Sequence, residues 1–99
     1  MKQRSAVDDL ETNIVHVKGQ VQGVGFRFAA VRRAHELGVT GWVRNQDDGS
    51  VQVLLQGNID QIDAMLSWLH YGPPRARVTD VHVERNDTDN RRYDSFQQI

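Results

Sequence analysis

The chain's chemistry starts at one arginine set behind three glycines, Gly19-Gln20-Val21-Gln22-Gly23-Val24-Gly25-Phe26-Arg27. Glycines at this spacing let the backbone bend where a side chain would clash, and they expose successive N–H groups that can converge on one bound group. The pattern that follows predicts a helix from about Phe26, whose unpaired first-turn N–H groups and positive dipole end face the same space. Gln22, Gly23, Val24, Gly25, Phe26 and Arg27 are therefore the candidate phosphate-binding residues. A cation in the first turn of a helix is misplaced by roughly 0.3–1 kcal/mol. A bound oxyanion would turn that repulsion into a clamp, because the planar guanidinium offers two parallel donors to two phosphate oxygens. The competing reading is a glycine turn beside a solvated arginine, since a loose glycine pattern alone is weakly specific.

Composition leaves the function to such a local site. With 12 basic and 13 acidic residues the net charge is −1, so nothing pulls the whole chain toward nucleic acid or a membrane surface. A hydrophobic fraction of 38% in 99 residues suits one globular domain with a single core. Cysteine is absent, which excludes thiolate catalysis, disulfides and cysteine metal sites. Met1 to Glu11 mixes charges without an apolar run, reading as a flexible extension (1–11) and neither a signal peptide nor a membrane span. The cytoplasm is the expected compartment. His16, His35, His70 and His82 show no i, i+4 pairing, so surface histidines are expected and no metal. Trp42, Trp68, Tyr71 and Phe96 read as core or edge packing, with no aromatic pair of the kind RNA-binding sheets present.

The elements that must position the site follow from periodicity. Val15, Val17 and Val21 alternate with His16 and Lys18, the period of a half-buried strand that places Gly19 on the inward register. Phe26, Ala30, Ala34 and Leu37 trace one face of a helix that Gly38 ends. Val39 to Asn45 predicts a second strand, joined through Gln46-Asp47-Asp48-Gly49 to a third carrying Val51, Val53 and Leu55. Asn58, with Gln61 three residues on, predicts a capped helix whose stripe is Ile59, Ile62, Met65, Leu66 and Leu69, stopped by Gly72-Pro73-Pro74. Val81 and Val83 mark a further strand, and after a polar turn from Asn86 to Arg92 a short last one can form within Tyr93 to Ile99. The order β-α-β-β-α-β over residues 12–99 predicts an α+β, two-layer α/β sandwich: a mainly antiparallel sheet covered on one face by two helices.

Two motifs, Gly19 to Arg27 and Gly41-Trp42-Val43-Arg44-Asn45, together resemble the acylphosphatase family. Asp48-Gly49-Ser50-Val51 and Gly72-Pro73-Pro74-Arg75-Ala76-Arg77-Val78 extend the likeness over about 14–99. The resemblance implies a ferredoxin-like fold and hydrolysis of acyl phosphates. It further implies that Arg27 and Asn45 are catalytic, with Asn45 holding the attacking water. Gln52 departs from the pattern, since many members carry glutamate there; a change of surface charge and not of mechanism is expected.

The implied reaction fits the residues. An acyl phosphate loses a carboxylate, whose pKa near ~4 lets it depart unprotonated, so no general acid is needed. Phosphoryl transfer asks mainly for in-line positioning and charge neutralisation, which need no metal, cofactor or catalytic carboxylate pair here. The amide oxygen of Asn45 can accept a hydrogen bond from water and orient a lone pair toward phosphorus, although it cannot act as a base. Read without the family, Asn45 is first of all a turn asparagine tolerating positive φ before the hairpin. The expectation is a monomeric, metal-independent acylphosphate phosphohydrolase acting on small molecules and not on nucleic acid. The alternative is a non-catalytic module of the same fold that binds a phosphate ligand or RNA.

Overall fold

The computed structural model describes residues 10–86 and 91–99. Seven elements follow one another: β1 (Glu11–Gln20), α1 (Phe26–Leu37), β2 (Thr40–Asn45), β3 (Val51–Gly57), α2 (Ile59–Leu69), β4 (Arg77–Arg85) and β5 (Phe96–Gln98). The sheet runs β4-β1-β3-β2-β5. Pairing is antiparallel except between β2 and β5, which are parallel. Both helices lie on one face, α1 over β2 and β5 and α2 over β3 and β1, and they touch each other. This is the expected α/β sandwich with the short last strand added at the β2 edge. Of the extension expected over 1–11, residues 1–9 lie outside the described residues, while Glu11 already opens β1. The polar turn from Asn86 to Arg92 falls largely outside them as well.

Alternation produces the core. Val15, Val17, Val43, Val53 and Leu55 point from the sheet into the helices, where Phe26, Ala30, Ala34, Ile62, Met65 and Leu69 meet them, all nearly inaccessible to solvent. Small residues at 30 and 34 bring α1 close to the strands, as ridge-and-groove packing requires. Asn58 caps α2 with a complete capping box, its side chain accepting from Gln61 N at 2.8 Å while Gln61 Oε1 accepts from Asn58 N at 2.9 Å.

Four readings of the sequence need correction. Ile59 is 57% exposed, because the first residue after the cap precedes the turn that faces the sheet. β4 begins at Arg77, ahead of Val81, and Val83 is 40% exposed, since an edge strand lacks a neighbour to cover it. The in-and-out parity of β1 breaks at a register shift between Lys18 and Gly19, leaving Gly19 exposed where alternation put it inward. Tyr71 stands in solvent rather than in a packed edge. Pairing across strands also brings His16 beside His82, ring centroids 6.4 Å apart, a proximity that spacing along the chain does not report.

Candidate active site

The glycine loop leaves β1 and enters α1 through two left-handed residues, Gly23 at φ 75° and Gly25 at φ 79°. No heavy atom lies within 4 Å of where a Cβ would stand at either position, so conformation and not space demands glycine there. Gly25 occupies the N-cap of α1 without a side-chain cap, and no acidic residue stands in the first turn. The donors at that helix end are thus left without a side-chain partner, which is the arrangement that favours an anion.

Two neighbours hold the loop in place. The side-chain nitrogen of Gln22 donates to the main-chain oxygens of Gln46 and Ser50, both at 2.8 Å, tying the loop to the β2–β3 turn. Phe26 is 2% exposed and packs against Trp68 with ring centroids 5.7 Å apart, fixing the start of α1 against the end of α2. The β2–β3 turn is itself clamped by Asp48, whose Oδ1 accepts from Ser50 N at 2.9 Å and Ser50 Oγ at 2.6 Å. Those hydrogen bonds, the hydroxyl first, hold the Asp48 carboxyl below the ordinary carboxylate range.

Between the loop and the ends of β2 and β5 lies a cavity of about 150 Å³ whose wall includes Gly23, Gly25, Phe26, Arg27 and Asn45. Val21, Phe28 and Gln98 complete it. Of the residues singled out in the sequence, these five come together on one space. Gln22 and Val24 are not on its wall: the Gln22 side chain serves as the latch to the turn, and Val24 packs on the core. Arg27 is half-buried, with Nη1 donating to the main-chain oxygen of Ile99 at 3.2 Å. Asn45 is the last residue of β2, paired with Val51. Among the described residues every positive φ belongs to a glycine, so Asn45 is not the left-handed turn asparagine that the sequence left open.

Gln98 and Phe28 are wall residues that sequence reasoning missed. For Gln98 no local signal exists, because it arrives through the parallel pairing of β5 with β2. For Phe28 one did: a phenylalanine next to Arg27 that falls off the apolar stripe of α1 and stands 64% exposed. At the departure from the family pattern, Gln52 Oε1 accepts from Arg44 Nε at 2.8 Å and Gln46 Nε2 at 2.6 Å. A neutral amide oxygen here takes two donors that a carboxylate would also take.

A glycine-rich strand-to-helix loop, a first-turn arginine and a strand-end asparagine meet on one cavity of a small ferredoxin-like sandwich. The acylphosphatase family model matches residues 14–98, and the chain belongs to that family. It is 58% identical over 89 residues to an acylphosphatase of Paraburkholderia xenovorans (strain LB400), covering 90% of this chain and 91% of the relative. Among solved structures, an acylphosphatase from Coxiella burnetii superposes with a TM-score of 0.90 at 34% identity, covering 98% of this chain and all of the other. An acylphosphatase from Bacillus subtilis does so with 0.82 at 32%, covering 91% and 98%. None of these relatives favours the non-catalytic alternative.

Proposed function

We propose that the protein hydrolyses the carboxyl-phosphate bond of small acyl phosphates, with the phosphoryl group seated among Gly23, Gly25, Phe26 and Arg27. The observation that carries this reading is the meeting of Arg27 and Asn45 on the wall of one cavity at the mouth of α1. The first-turn amides and the guanidinium neutralise the equatorial phosphoryl oxygens, the main electrostatic demand of the transition state. Asn45 accepts a hydrogen bond from the attacking water and turns its lone pair toward phosphorus. The water oxygen bonds to phosphorus as the bond from phosphorus to the acyl oxygen breaks. The electron pair leaves with the carboxylate, and the water proton passes to a phosphate oxygen. No step asks for a metal, and no His, Cys, Asp or Glu group able to hold one is found among the described residues.

Acetyl phosphate supplied with excess chelator tests the reading. Release of phosphate well above the uncatalysed rate is expected, and release no faster than the buffer blank would refute it. We also propose that the enzyme works as a monomer in the cytoplasm and engages no nucleic acid. The near-neutral charge supports this, as does the absence, among the described residues, of a helix long and apolar enough to cross a membrane. Light scattering at micromolar concentration should return a mass close to 11.3 kDa.

A further inference from the structure

The face of the sheet that the helices leave uncovered carries a pair of imidazoles. His16 of β1 and His82 of β4 are direct partners in the antiparallel ladder, with ring centroids 6.4 Å apart and planes tilted by 34°. We propose that they form a two-histidine site for a divalent transition-metal ion of the zinc class, separate from the phosphate cavity and independent of the hydrolytic reading.

Sheet geometry builds the pair. Val15 and Val17 point into the core, so alternation turns His16 to the opposite face. The register that sets Val15 against Val83 and Val17 against Val81 turns His82 the same way. Residues directly opposed in an antiparallel pair hold their Cβ atoms about 4.5–5.5 Å apart, close enough for two imidazoles to converge on one atom. A zinc-bound imidazole has its centroid about 3.2 Å from the ion, given a metal–nitrogen bond of about 2.1 Å. Two rings sharing the ion then stand about 5.2 Å apart at a tetrahedral angle and about 6.4 Å apart in line. The spacing found is at the wide end of that span, and a small inward turn of the side chains closes it. His82 is free to make that turn, being on an edge strand with its side chain 62% exposed.

The surroundings favour a cation held by nitrogen. Glu84, two residues along β4 on the same face, has its Oε2 3.3 Å from His82 Nε2. A carboxylate there takes the Nε2 proton, leaves Nδ1 as the ligand and adds negative charge behind it, the support that metal-bound histidines ordinarily receive. On the β3 side of His16 stands Gln52, whose amide oxygen is already engaged by Arg44 and Gln46. Lys18, next along the face, stands across from Asp80. No three His, Cys, Asp or Glu side chains gather into a closed metal cage among the described residues, so the two imidazoles are the ligands and water fills the remaining positions. Such a site suits zinc, nickel or copper and not magnesium or calcium, which take oxygen. Because folding alone brings β1 and β4 together, an ion shared between them stabilises the native state.

Calorimetric titration of the untagged chain with zinc(II), in phosphate-free buffer, tests the assignment. One ion per chain should bind with a Kd below about 100 µM, and His16→Asn and His82→Asn should each weaken binding at least about tenfold. His70→Asn, which removes an imidazole bonded instead to the Leu66 oxygen, should change it less than about twofold. Zinc should raise the melting temperature of the native protein and of His70→Asn, and move neither variant of the pair. Magnesium(II) at the same concentration should give no binding heat. In the native protein, zinc should shift the NMR signals of the His16 and His82 imidazoles and leave those of His35 and His70 in place, a readout that does not depend on any variant folding. Weaker native binding, one ion shared between two chains, affinity that survives the loss of either imidazole, equal binding of magnesium, or NMR shifts confined to His35 or His70 each overturn the proposal.

Discussion

Arg27 is a residue at odds with its own helix. Its charge sits in a first turn that disfavours cations, and its hydrogen bond to Ile99 is exposed, so in the empty protein it contributes little to stability. Arg27→Ala should therefore leave the melting temperature of the phosphate-free protein unchanged or slightly raised. Inorganic phosphate should stabilise the native protein against heat and leave the variant unmoved, which scanning calorimetry with and without phosphate would check. Arg27→Lys keeps the charge and loses the planar fork, and kcat/KM for acetyl phosphate should fall by about 10²–10³-fold. Asn45 divides differently. On the proposed division of labour, with water and phosphate held by different groups, Asn45→Ala should lower kcat by about 10²-fold while the inhibition constant of inorganic phosphate moves less than about threefold. Unchanged turnover in that variant would remove Asn45 from the reaction.

Between elements, the Gln22 amide ties loop to hairpin. Gln22→Ala removes one donor from each of the Gln46 and Ser50 oxygens, which Gly49 N and Gln46 N still serve, at a cost of about 0.5–1.5 kcal/mol. Because the loop it releases holds the cavity, KM for acetyl phosphate should rise severalfold in parallel. Gln22→Glu should be worse than Gln22→Ala, since a carboxylate facing two main-chain oxygens repels both; equal effects in steady-state kinetics would show that the latch is dispensable. The same hairpin carries an acid sensitivity. The Asp48 carboxyl, lowered by its bonds to Ser50, stabilises the fold fully above the ordinary carboxylate pKa of about 4, and that support is lost as pH falls through its lower native value. Thermal melts of native protein and Asp48→Ala should thus differ at neutral pH and converge on acidification below about pH 4. At this scale the sequence was most readable where signals are local. The capping box of α2, the Asp-Gly hairpin and the stripe Phe26, Ala30 and Ala34 were all legible, being set by residues within a turn or two of each other. The Gln22 latch spans 24 and 28 positions and left no such trace.

Across the whole molecule, the last strand closes the site that the first loop opens. β5 has three residues, yet Gln98 stands on the cavity wall and the Ile99 oxygen receives Arg27, so the first loop and the last strand meet at the candidate site. Only tertiary pairing reveals this, through Gly41 N to Ser95 O at 3.0 Å and Ile99 N to Val43 O at 2.9 Å. Phe96 anchors the strand, being 2% exposed, much as Leu55 anchors the centre of the sheet at 0%. Truncating either to alanine removes a large buried side chain, and about 2–5 kcal/mol of stability should be lost in both, read by urea denaturation. Their kinetics should separate. Leu55 lies on β3 away from the cavity wall, so the folded Leu55→Ala enzyme, assayed well below its melting point, should keep its KM for acetyl phosphate within about twofold. Phe96→Ala frees the strand that backs Arg27, and under the same conditions should raise KM and lower kcat together. Matching kinetics in the two variants would mean that β5 stabilises the fold without shaping the site.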